Sequence, residues 1–329
     1  MELAGKRILI TGGTGLIGGR LAERLQTEES AQVVALARHP EKGRWLAKFG
    51  VEVCPGDVTD PVSLERAIAG CDIVFHAAAW VSEKGTQTEV NAVNVAGTEN
   101  VIRAAREAHV GRLIHLSSCA VYGSLQQFNI DEHTPTRLTG NLYANSKVLA
   151  EQTITQQDDL PWVIARPSQV YGPRSYQFSI RPIELIKAGK MKLIDGGRYL
   201  CKPVYIDNLV DGLIQCAQVD AAVGEAINFS DGQPVPWRDF FGAYGRMVGV
   251  NALPSVPFAV AWLLGLLNEI SAAIRGREAS FNRRVVTGLR SSNSFSIQKA
   301  QDVLGWTPRV DLAEGMQRTE VWLRAEGYI

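Results

Sequence analysis

Apolar residues in the first half of the chain alternate between short runs rich in β-branched residues and longer stretches with apolar positions three and four residues apart. The short runs predict buried strands, and the longer stretches predict amphipathic helices. Strands that alternate with helices predict βαβ units and therefore a parallel sheet with helices on its faces. The predicted strands are KRILITG, AQVVALAR, CDIVFHAAA, RLIHLSS and PWVIARPS, and the predicted helices are GLIGGRLAERLQ, VSLERAIAG, NVAGTENVIRAAREAHV and NLYANSKVLAEQTITQQ.

This alternation is lost after residue 172. The sequence then predicts a helix in RPIELIKAG, a strand and a helix in PVYIDNLVDGLIQCA, and a helical tail interrupted by prolines. We expect an α/β fold with a doubly wound parallel Rossmann sheet, formed by residues 1–172 and about 203–232. Residues from about 173 to 202 and from 233 to 329 are expected to form a smaller, mainly C-terminal substrate lid.

A glycine-rich loop, TGGTGLIG, joins the first predicted strand to the first predicted helix. Its missing side chains allow a tight turn and close approach of a pyrophosphate, and the N-terminus of the next helix favours anions. An ordinary glycine-rich turn is the alternative, but the position at the first βα junction favours a dinucleotide site. The residues expected to contact the dinucleotide here are Gly12, Thr14, Gly15, Leu16 and Ile17.

The end of the second predicted strand bears on the choice between NAD and NADP. NAD sites place a carboxylate about 20 residues after the glycines, where it binds the ribose 2'-hydroxyl. This chain has Arg38 and His39 there instead. Because a guanidinium pairs well with a phosphate, we expect NADP(H). NAD(H) is the alternative if Arg38 is only a solvated charge at a strand end.

Two further segments follow predicted strands and are expected to contact the dinucleotide. A further strand, the third in chain order, is expected just before Asp57 and Val58, and the Asp57 carboxylate there either binds the adenine amino group or caps a turn. The small side chains of Ala77, Ala78 and Ala79 follow the fourth strand and would let the cofactor approach the backbone. His76, beside them, is expected to be a strand-end residue and not a base.

Tyr143 and Lys147 lie four residues apart on a predicted helix, so their side chains emerge on one face. Lowering the pKa of a phenol from about 10 to about 7 takes about 4 kcal/mol, which a desolvated ammonium and the positive nicotinamide ring can supply together. An exposed Tyr/Lys pair is the alternative. The preceding strand ends in Ser117 and Ser118, at the sheet edge where ligands bind. From residue types alone, either serine could hold a substrate oxygen or belong to a turn.

The motifs TGGTGLIG, HAAA, NVAGT, HLSSCAVYG, YANSK and ARPSQVYGP, in this order, resemble the extended short-chain dehydrogenase/reductase family, also called the NAD-dependent epimerase/dehydratase family. The resemblance covers almost the whole chain. It implies that Ser118, and not Ser117, is catalytic. It also implies that Tyr143 is the acid/base and Lys147 its partner.

The same resemblance implies contacts on the nicotinamide side of the cofactor from Asn94, Pro167 and Val170. From the residue alone, Asn94 could equally lie on the polar face of a helix. The resemblance further implies a homodimer whose contact lies on helices that flank the sheet.

The segment IDGGRYLCKPVYIDN helps to choose among branches of this family. Sugar-nucleotide members usually carry a stretch like GDGxQxRDF there, whereas this chain has Lys202 and Pro203 in place of the Arg-Asp pair. Together with the apolar FAVAWLLGLL, which is either core or pocket lining, the segment resembles the 3β-hydroxysteroid dehydrogenase and dihydroflavonol reductase branches.

Three functional hypotheses follow. The first is an NAD(P)-dependent carbonyl reductase or alcohol dehydrogenase for an apolar hydroxy or keto substrate, steroid-like, flavonoid-like or other. The second is a nucleotide-sugar epimerase or dehydratase, which Arg198 supports because it could hold a diphosphate. The third is a non-catalytic dinucleotide sensor.

Composition bears on the partners, the metal content and the localisation of the protein. The 34 basic and 34 acidic side chains among 329 residues cancel, so nothing favours a nucleic-acid partner. Five scattered cysteines without a CxxC pair favour reduced thiols over disulfides or a metal site, and we expect no metal. The N-terminus lacks the regions of a signal peptide, so a cytoplasmic protein is expected. Residues 256–267 are too few to span a membrane, and we expect a buried or substrate-facing helix there, with a membrane-surface anchor as the alternative.

Overall fold

The computed structural model describes residues 1–81, 85–275 and 281–329. Its core is a seven-stranded sheet in which all neighbouring strands are parallel. The strands are β1 (Arg7–Thr11), β2 (Gln32–Ala37), β3 (Glu52–Pro55), β4 (Ile73–His76), β5 (Arg112–Leu116), β6 (Trp162–Pro167) and β11 (Glu225–Phe229). They lie in the order β11-β6-β5-β4-β1-β2-β3, which confirms the predicted doubly wound sheet.

Helices cover both faces of this sheet. The helices are α1 (Leu16–Thr27), α2 (Pro61–Ile68), α3 (Gln87–Asn91), α4 (Gly97–Glu107), α5 (Leu142–Thr155), α6 (Arg181–Lys187), α7 (Ile206–Gln218), α8 (Trp237–Met247), α9 (Phe258–Ile274), α10 (Arg283–Gly288), α11 (Gln298–Leu304) and α12 (Leu312–Ala325). The remaining short strands are β7 (Gln169–Tyr171), β8 (Leu193–Ile194), β9 (Leu200–Cys201), β10 (Pro203–Tyr205), β12 (Val235–Pro236) and β13 (Ser255–Val256). Three two-stranded pairs form from them: β10 with β7, β12 with β9 and β13 with β8.

The alternation of apolar residues within the strands divides the core into two layers. Ile8 and Ile10 of β1 pack with α1 and α7, whereas Leu9 between them packs with α2 and α4. All three side chains are fully buried, as expected for a parallel sheet covered on both faces. Two ion pairs join α1 to α7: Arg20 with Asp207 at 2.6 Å and Arg24 with Asp211 at 2.9 Å.

Strand β11 was not among the strands that the pattern predicted. It pairs with β6 at the edge of the sheet and follows α7, so residues 203–232 return to the core. Part of the C-terminal region also packs here: Trp306 contacts Phe229 edge-to-face, and its indole donates to the carbonyl oxygen of Asn208.

Residues 258–267 of the apolar segment 256–267 lie in α9, and ten of the twelve residues of the segment are exposed or half-buried. Only Ala261 and Gly265 of this helix are buried. Burial, one of the expected environments, is therefore wrong for most of the segment. No helix in the described ranges is both long and apolar enough to cross a membrane.

Candidate active site

The candidate site lies at the edge of the sheet where β1, β4 and β5 end. Three segments leave the sheet at this edge: the glycine loop after Thr11, the alanines after His76 and the serines after Leu116. Because the carboxyl ends of parallel strands meet at one edge, residues that are far apart in sequence become neighbours there.

The glycine loop packs too closely against the neighbouring strands to admit side chains. A Cβ on Gly12 would lie 2.7 Å from the backbone nitrogen of Ala78, and the φ of Gly12 is +66°. A Cβ on Gly13 would lie 2.6 Å from the Cβ of Ala35, and one on Gly18 would lie 2.5 Å from the carbonyl oxygen of Gly12. The loop therefore presents bare backbone at the sheet edge, a cradle that a side chain would fill.

Helix α1 begins immediately after this loop. Gly15 is its N-cap residue, so no side chain satisfies the first N–H groups of the helix. These groups and the helix dipole attract anions. Thr14, Leu16 and Ile17 are half-buried around this end of α1. The local geometry fits a dinucleotide pyrophosphate, although the individual contacts remain predictions.

The alanines after β4 are held in place by a buried polar group. The Thr11 hydroxyl lies 2.7 Å from Nδ1 of His76 and accepts the N–H of Ala78 at 3.2 Å. The other ring nitrogen of His76 lies 2.9 Å from the Thr98 hydroxyl. Complete burial lowers the pKa of His76 to about 3, so the ring is neutral. His76 therefore positions the strand ends, in line with the expectation that it is not a base.

Cationic side chains lie beside the glycine loop. Arg38 directly follows β2, is exposed and makes no hydrogen bond or ion pair with any other described residue. The following 3-10 segment brings Gly43 against the loop, where a Cβ on Gly43 would lie 2.9 Å from the methyl group of Thr14. The exposed residues Lys42 and Arg44 flank this glycine. These cationic side chains are thus suited to bind an anionic group of a ligand near the glycine loop.

Asp57 takes part in a turn, which is one of its two expected roles. Its carboxylate accepts the N–H of Thr59 at 2.9 Å. Val58 is buried, and a Cβ on Gly97 of α4 would lie 2.8 Å from its side chain. Adenine contacts of Asp57 and Val58 stay predictions.

Asn94 joins two of the segments at the site. Its amide donates to the carbonyl oxygen of Trp80 at 3.1 Å and to the Ser146 hydroxyl at 2.8 Å. The Trp80 N–H donates back to Asn94 at 2.6 Å, and Ser146 donates to the carbonyl oxygen of Tyr143 at 2.8 Å. Asn94 therefore links the segment after β4 to α5. Its predicted contact with the nicotinamide ribose is untested.

Ser118 lies close enough to Tyr143 to act on the pKa of its phenol as a hydrogen-bonding neighbour. Ser118 is the N-cap of a short 3-10 helix, Cys119–Tyr122, and its hydroxyl also accepts the Ala120 N–H at 3.1 Å. Burial raises the pKa of the half-buried Tyr143 to about 12, and the bond with Ser118 opposes this shift. Ser117 is buried, and its hydroxyl has no partner among the described residues. Thus Ser118, the serine that the resemblance selects, is the one that contacts Tyr143.

Lys147 lies one turn after Tyr143 on α5 and is 2% exposed. Its ammonium donates to the carbonyl oxygen of Leu116 at 2.6 Å. Burial lowers the pKa of Lys147 to about 8, while the negative charge of Glu151 acts in the opposite direction. A buried cation is thus held at the end of β5, one helical turn along α5 from Tyr143.

A buried network behind this site was not singled out from the sequence. Arg166 donates from Nε and Nη2 to the two carboxylate oxygens of Glu151, at 2.9 and 2.6 Å, which ties α5 to β6. Arg166 also donates to the Tyr122 hydroxyl at 2.8 Å, and that hydroxyl donates to Asn228 at 2.8 Å. Arg166 and Tyr122 belong to the motifs ARPSQVYGP and HLSSCAVYG, which is the signal that could have identified them.

The two remaining predicted contacts follow Arg166 in the chain. Pro167 is buried at the end of β6, opposite Phe229 of β11. Val170 lies in β7 opposite Val204 of β10 and is 9% exposed. Both lie at the same end of the sheet as Ser118, and their contacts with the nicotinamide remain predictions.

Curated relatives align with this chain over nearly its full length. A ketoreductase from Stigmatella aurantiaca, named for 4-hydroxy-2-methyl-3-oxo-4-farnesyl-3,4-dihydroquinoline-1-oxide, is 30% identical over 94% of this chain and 94% of its own length. A 2-alkyl-3-oxoalkanoate reductase from Stenotrophomonas maltophilia is 30% identical over 95% of this chain and 98% of its own length.

Solved structures share the fold. An epimerase from Methanothermobacter thermautotrophicus superposes with a TM-score of 0.82 at 24% identity and covers 99% of this chain and 94% of its own. The Bordetella bronchiseptica enzyme WbmG, solved in complex with NAD, has a TM-score of 0.80 at 24% identity and covers 99% of this chain and 96% of its own.

The model of the NAD-dependent epimerase/dehydratase family matches residues 8–229. This match spans the glycine loop, the serine after β5 and the Tyr/Lys pair, and it extends to β11. It covers well over half of the chain. The chain therefore belongs to the NAD-dependent epimerase/dehydratase family and is an NAD(P)-dependent oxidoreductase.

Proposed function

We propose that the chain is an NADP(H)-dependent reductase that converts the ketone of an apolar substrate to an alcohol, with Ser118, Tyr143 and Lys147 as its catalytic residues. The pairing of Ser118 with Tyr143, on the same helix that holds the buried ammonium of Lys147 against Leu116, is the observation that carries this proposal. It lies at the edge of the sheet where doubly wound folds bind ligands.

NADP(H), when bound, supplies the hydride. The chain's own residues bind it and move the proton: the N-terminus of α1 holds the pyrophosphate, and Arg38 pairs with the 2'-phosphate. Tyr143 gives its hydroxyl proton to the substrate oxygen, and Ser118 donates a hydrogen bond to the same oxygen. The raised pKa of Tyr143 keeps the proton on the phenol before reaction, as a general acid requires.

Lys147 stabilises the phenolate that proton transfer leaves on Tyr143, because a nearby cation favours the charged form. The Glu151–Arg166 pair and the Asn94 hydrogen bonds act as positioning groups, since they join α5 to β6 and to the segment after β4. A rigid α5 keeps Tyr143 and Lys147 in register with Ser118.

The names of the two relatives support a ketone substrate with an apolar chain. The compound named in the first has a farnesyl group next to an oxo group, and the compound named in the second is a 2-alkyl-3-oxoalkanoate. The position of Arg198 gives little support to the hypothesis of a nucleotide-sugar epimerase. This side chain is exposed and engages Tyr199 at 3.1 Å and Asp195 at 3.7 Å within the lid.

We also propose that residues from about 173 to 202 and from 233 to 329 form the substrate lid.

We further propose that two copies of the chain associate through helices on the flank of the sheet. Light scattering of the purified protein tests this dimer. A monomeric mass over the concentration range of the assay would contradict it.

Net cofactor oxidation tests the proposed activity. Purified protein is mixed with NADPH and, in turn, 2-alkyl-3-oxoalkanoates, steroid ketones, dihydroflavonols and UDP-sugars. We expect stoichiometric NADPH oxidation with at least one apolar ketone, and oxidation slower by about 100-fold or more with the Tyr143→Phe variant. Interconversion of UDP-sugars without net oxidation would establish an epimerase instead. Cofactor binding without turnover of any compound would favour a sensor.

A further inference from the structure

Helix α9 presents a continuous apolar stripe to solvent. Six of the fourteen exposed large hydrophobic residues described in the structure lie on this single helix. They recur every three or four residues, so they share one face. Exposed apolar residues are normally scattered, and a contiguous set marks an interaction surface. The stripe consists of Val260, Leu263, Leu264, Leu267, Ile270 and Ile274, which are 46% to 82% exposed.

The other face of α9 is firmly attached to the protein. Gly265 packs against the start of α10, where a Cβ would lie 3.0 Å from the backbone nitrogen of Arg283. Asn268 donates to the carbonyl oxygen of Phe281 at 2.7 Å, and Glu269 pairs with Arg283 at 2.8 Å. These contacts fix the orientation of the helix, so the stripe faces outward as part of the fold.

Exposed arginines lie near the C-terminal end of the stripe. Between residues 255 and 294 the sequence contains five arginines, two glutamates and neither lysine nor aspartate. At the other end of α9, Asp195 accepts the N–H of Phe258 at 2.8 Å. Glu269 is already paired with Arg283, whereas Arg275 directly follows the last residue of the stripe and is exposed. Arg284, at the start of α10, is exposed as well. An apolar surface with arginines at one end is complementary to a layer whose interior is apolar and whose surface is anionic.

We propose that α9 docks on the surface of an anionic lipid bilayer. Its 17 residues extend about 25 Å, too short to span a bilayer upright but suited to lie in the interface. An interfacial helix sinks its apolar face by about 5–10 Å, so the aliphatic side chains reach the acyl chains while the arginines remain among the phosphates.

Two features favour a bilayer over a protein partner. A symmetric dimer through this stripe would bring the arginines of the two copies together, because the same patch meets itself across the two-fold axis. The stripe is also entirely aliphatic, whereas the centres of protein interfaces are enriched in aromatic residues and contain hydrogen bonds. The proposal does not depend on the proposed activity, although a bilayer could also hold an apolar substrate.

Vesicle co-sedimentation tests this proposal. The full-length protein is mixed with vesicles of phosphatidylcholine alone, or of equal parts phosphatidylcholine and phosphatidylglycerol. We expect sedimentation with the anionic vesicles, weakened by added salt. Leu263→Glu/Leu267→Glu should lower partitioning by at least about 100-fold, since two leucines that the bilayer would bury are lost. Arg275→Gln should lower it by about fivefold, and only on anionic vesicles.

The matched control is Val62→Glu/Val321→Glu, which adds the same charge at exposed helical sites on α2 and α12. Circular dichroism and NADPH affinity verify that each variant is folded. Equal partitioning of both double variants, or wild-type protein that stays in the supernatant, would overturn the proposal. A dimer that only Leu263→Glu/Leu267→Glu dissociates would assign the stripe to a second copy instead.

Discussion

The ammonium of Lys147 donates to the carbonyl oxygen of Leu116 at 2.6 Å, which joins the middle of α5 to the end of β5. Ser117 and Ser118 follow Leu116 directly, so the same bond fixes Lys147 relative to the candidate serine. This arrangement places a cation in a buried position. Burial of this charge costs folding free energy, and the proposed mechanism uses the same charge in catalysis.

Lys147→Met should stabilise the protein and reduce its turnover. The pKa of Lys147 falls from 10.5 to about 8 on folding, so below pH 8 burial of the charge costs about 3 kcal/mol. Methionine removes this cost but leaves the Leu116 carbonyl unpaired, at about 1 kcal/mol. We expect the free energy of unfolding at pH 7 to rise by about 2 kcal/mol, as measured by denaturant titration.

The pH dependence of the same variant supplies its control. Between pH 8 and 10.5 the unfolded chain still binds the lysine proton while the folded protein has lost it, so wild-type stability rises with pH. The advantage of Lys147→Met should therefore shrink over this range. Lys190→Met, at an exposed position, should show neither effect. A variant equally or less stable than wild type at pH 7 would contradict the cost assigned to Lys147.

The two serines after β5 should differ sharply in function. Tyr143→Phe is expected to lower kcat by about 100-fold to 10,000-fold through loss of the proton donor, and Ser118→Ala should lower it by a smaller factor. Ser117→Ala is the matched control, because the buried Ser117 hydroxyl has no partner among the described residues and its loss should leave kcat unchanged. Steady-state kinetics with an accepted ketone measures all three. Equal effects at both serines would refute the assignment of Ser118.

Arg38 should be responsible for the preference for NADPH over NADH. Arg38→Ala removes an exposed guanidinium at the end of β2 and should lower kcat/KM for NADPH by about 10-fold to 100-fold, because a charge-assisted bond to the 2'-phosphate is lost. The value for NADH should not change. Arg66→Ala on α2 removes another exposed arginine and serves as control. A wild-type enzyme that prefers NADH, with or without Arg38, would exclude the predicted specificity.

Gly12→Ala and Gly5→Ala separate two effects of a glycine. Both residues have a positive φ, +66° and +72°, so alanine at either position should cost about 1 kcal/mol of backbone strain. Only at Gly12 would the new Cβ meet the Ala78 backbone, at 2.7 Å, whereas nothing lies within 4 Å at Gly5. We expect Gly12→Ala alone to abolish NADPH binding, measured by fluorescence titration. Retained binding would show that the loop does not cradle the cofactor.

Features that depend on neighbouring residues in sequence were predictable. The runs around Ile8 to Ile10 and Val33 to Leu36 predicted strands because they are short continuous apolar runs, as expected for strands buried on both faces of a sheet. The glycine loop and the Tyr143/Lys147 spacing were visible for the same reason, since a turn and an i, i+4 pair are local geometry.

Three features depended on tertiary contacts. Strand β11 is short, and its pairing with β6 brings together residues far apart in the chain. The Glu151–Arg166 pair joins a helix to a strand, and no spacing rule relates those two positions. The apolar residues of α9 predicted a helix that could be buried, face substrate or contact a membrane.

The sequence by itself determined the alternation of strands and helices in the first half of the chain, the glycine loop and the residue types available for proton transfer. Only the tertiary structure decided which serine meets Tyr143, that Lys147 is buried against Leu116, and which face of α9 remains exposed. The physical reason is that local periodicity reports which side chains are apolar, whereas burial and hydrogen bonding depend on which distant segments pack against them.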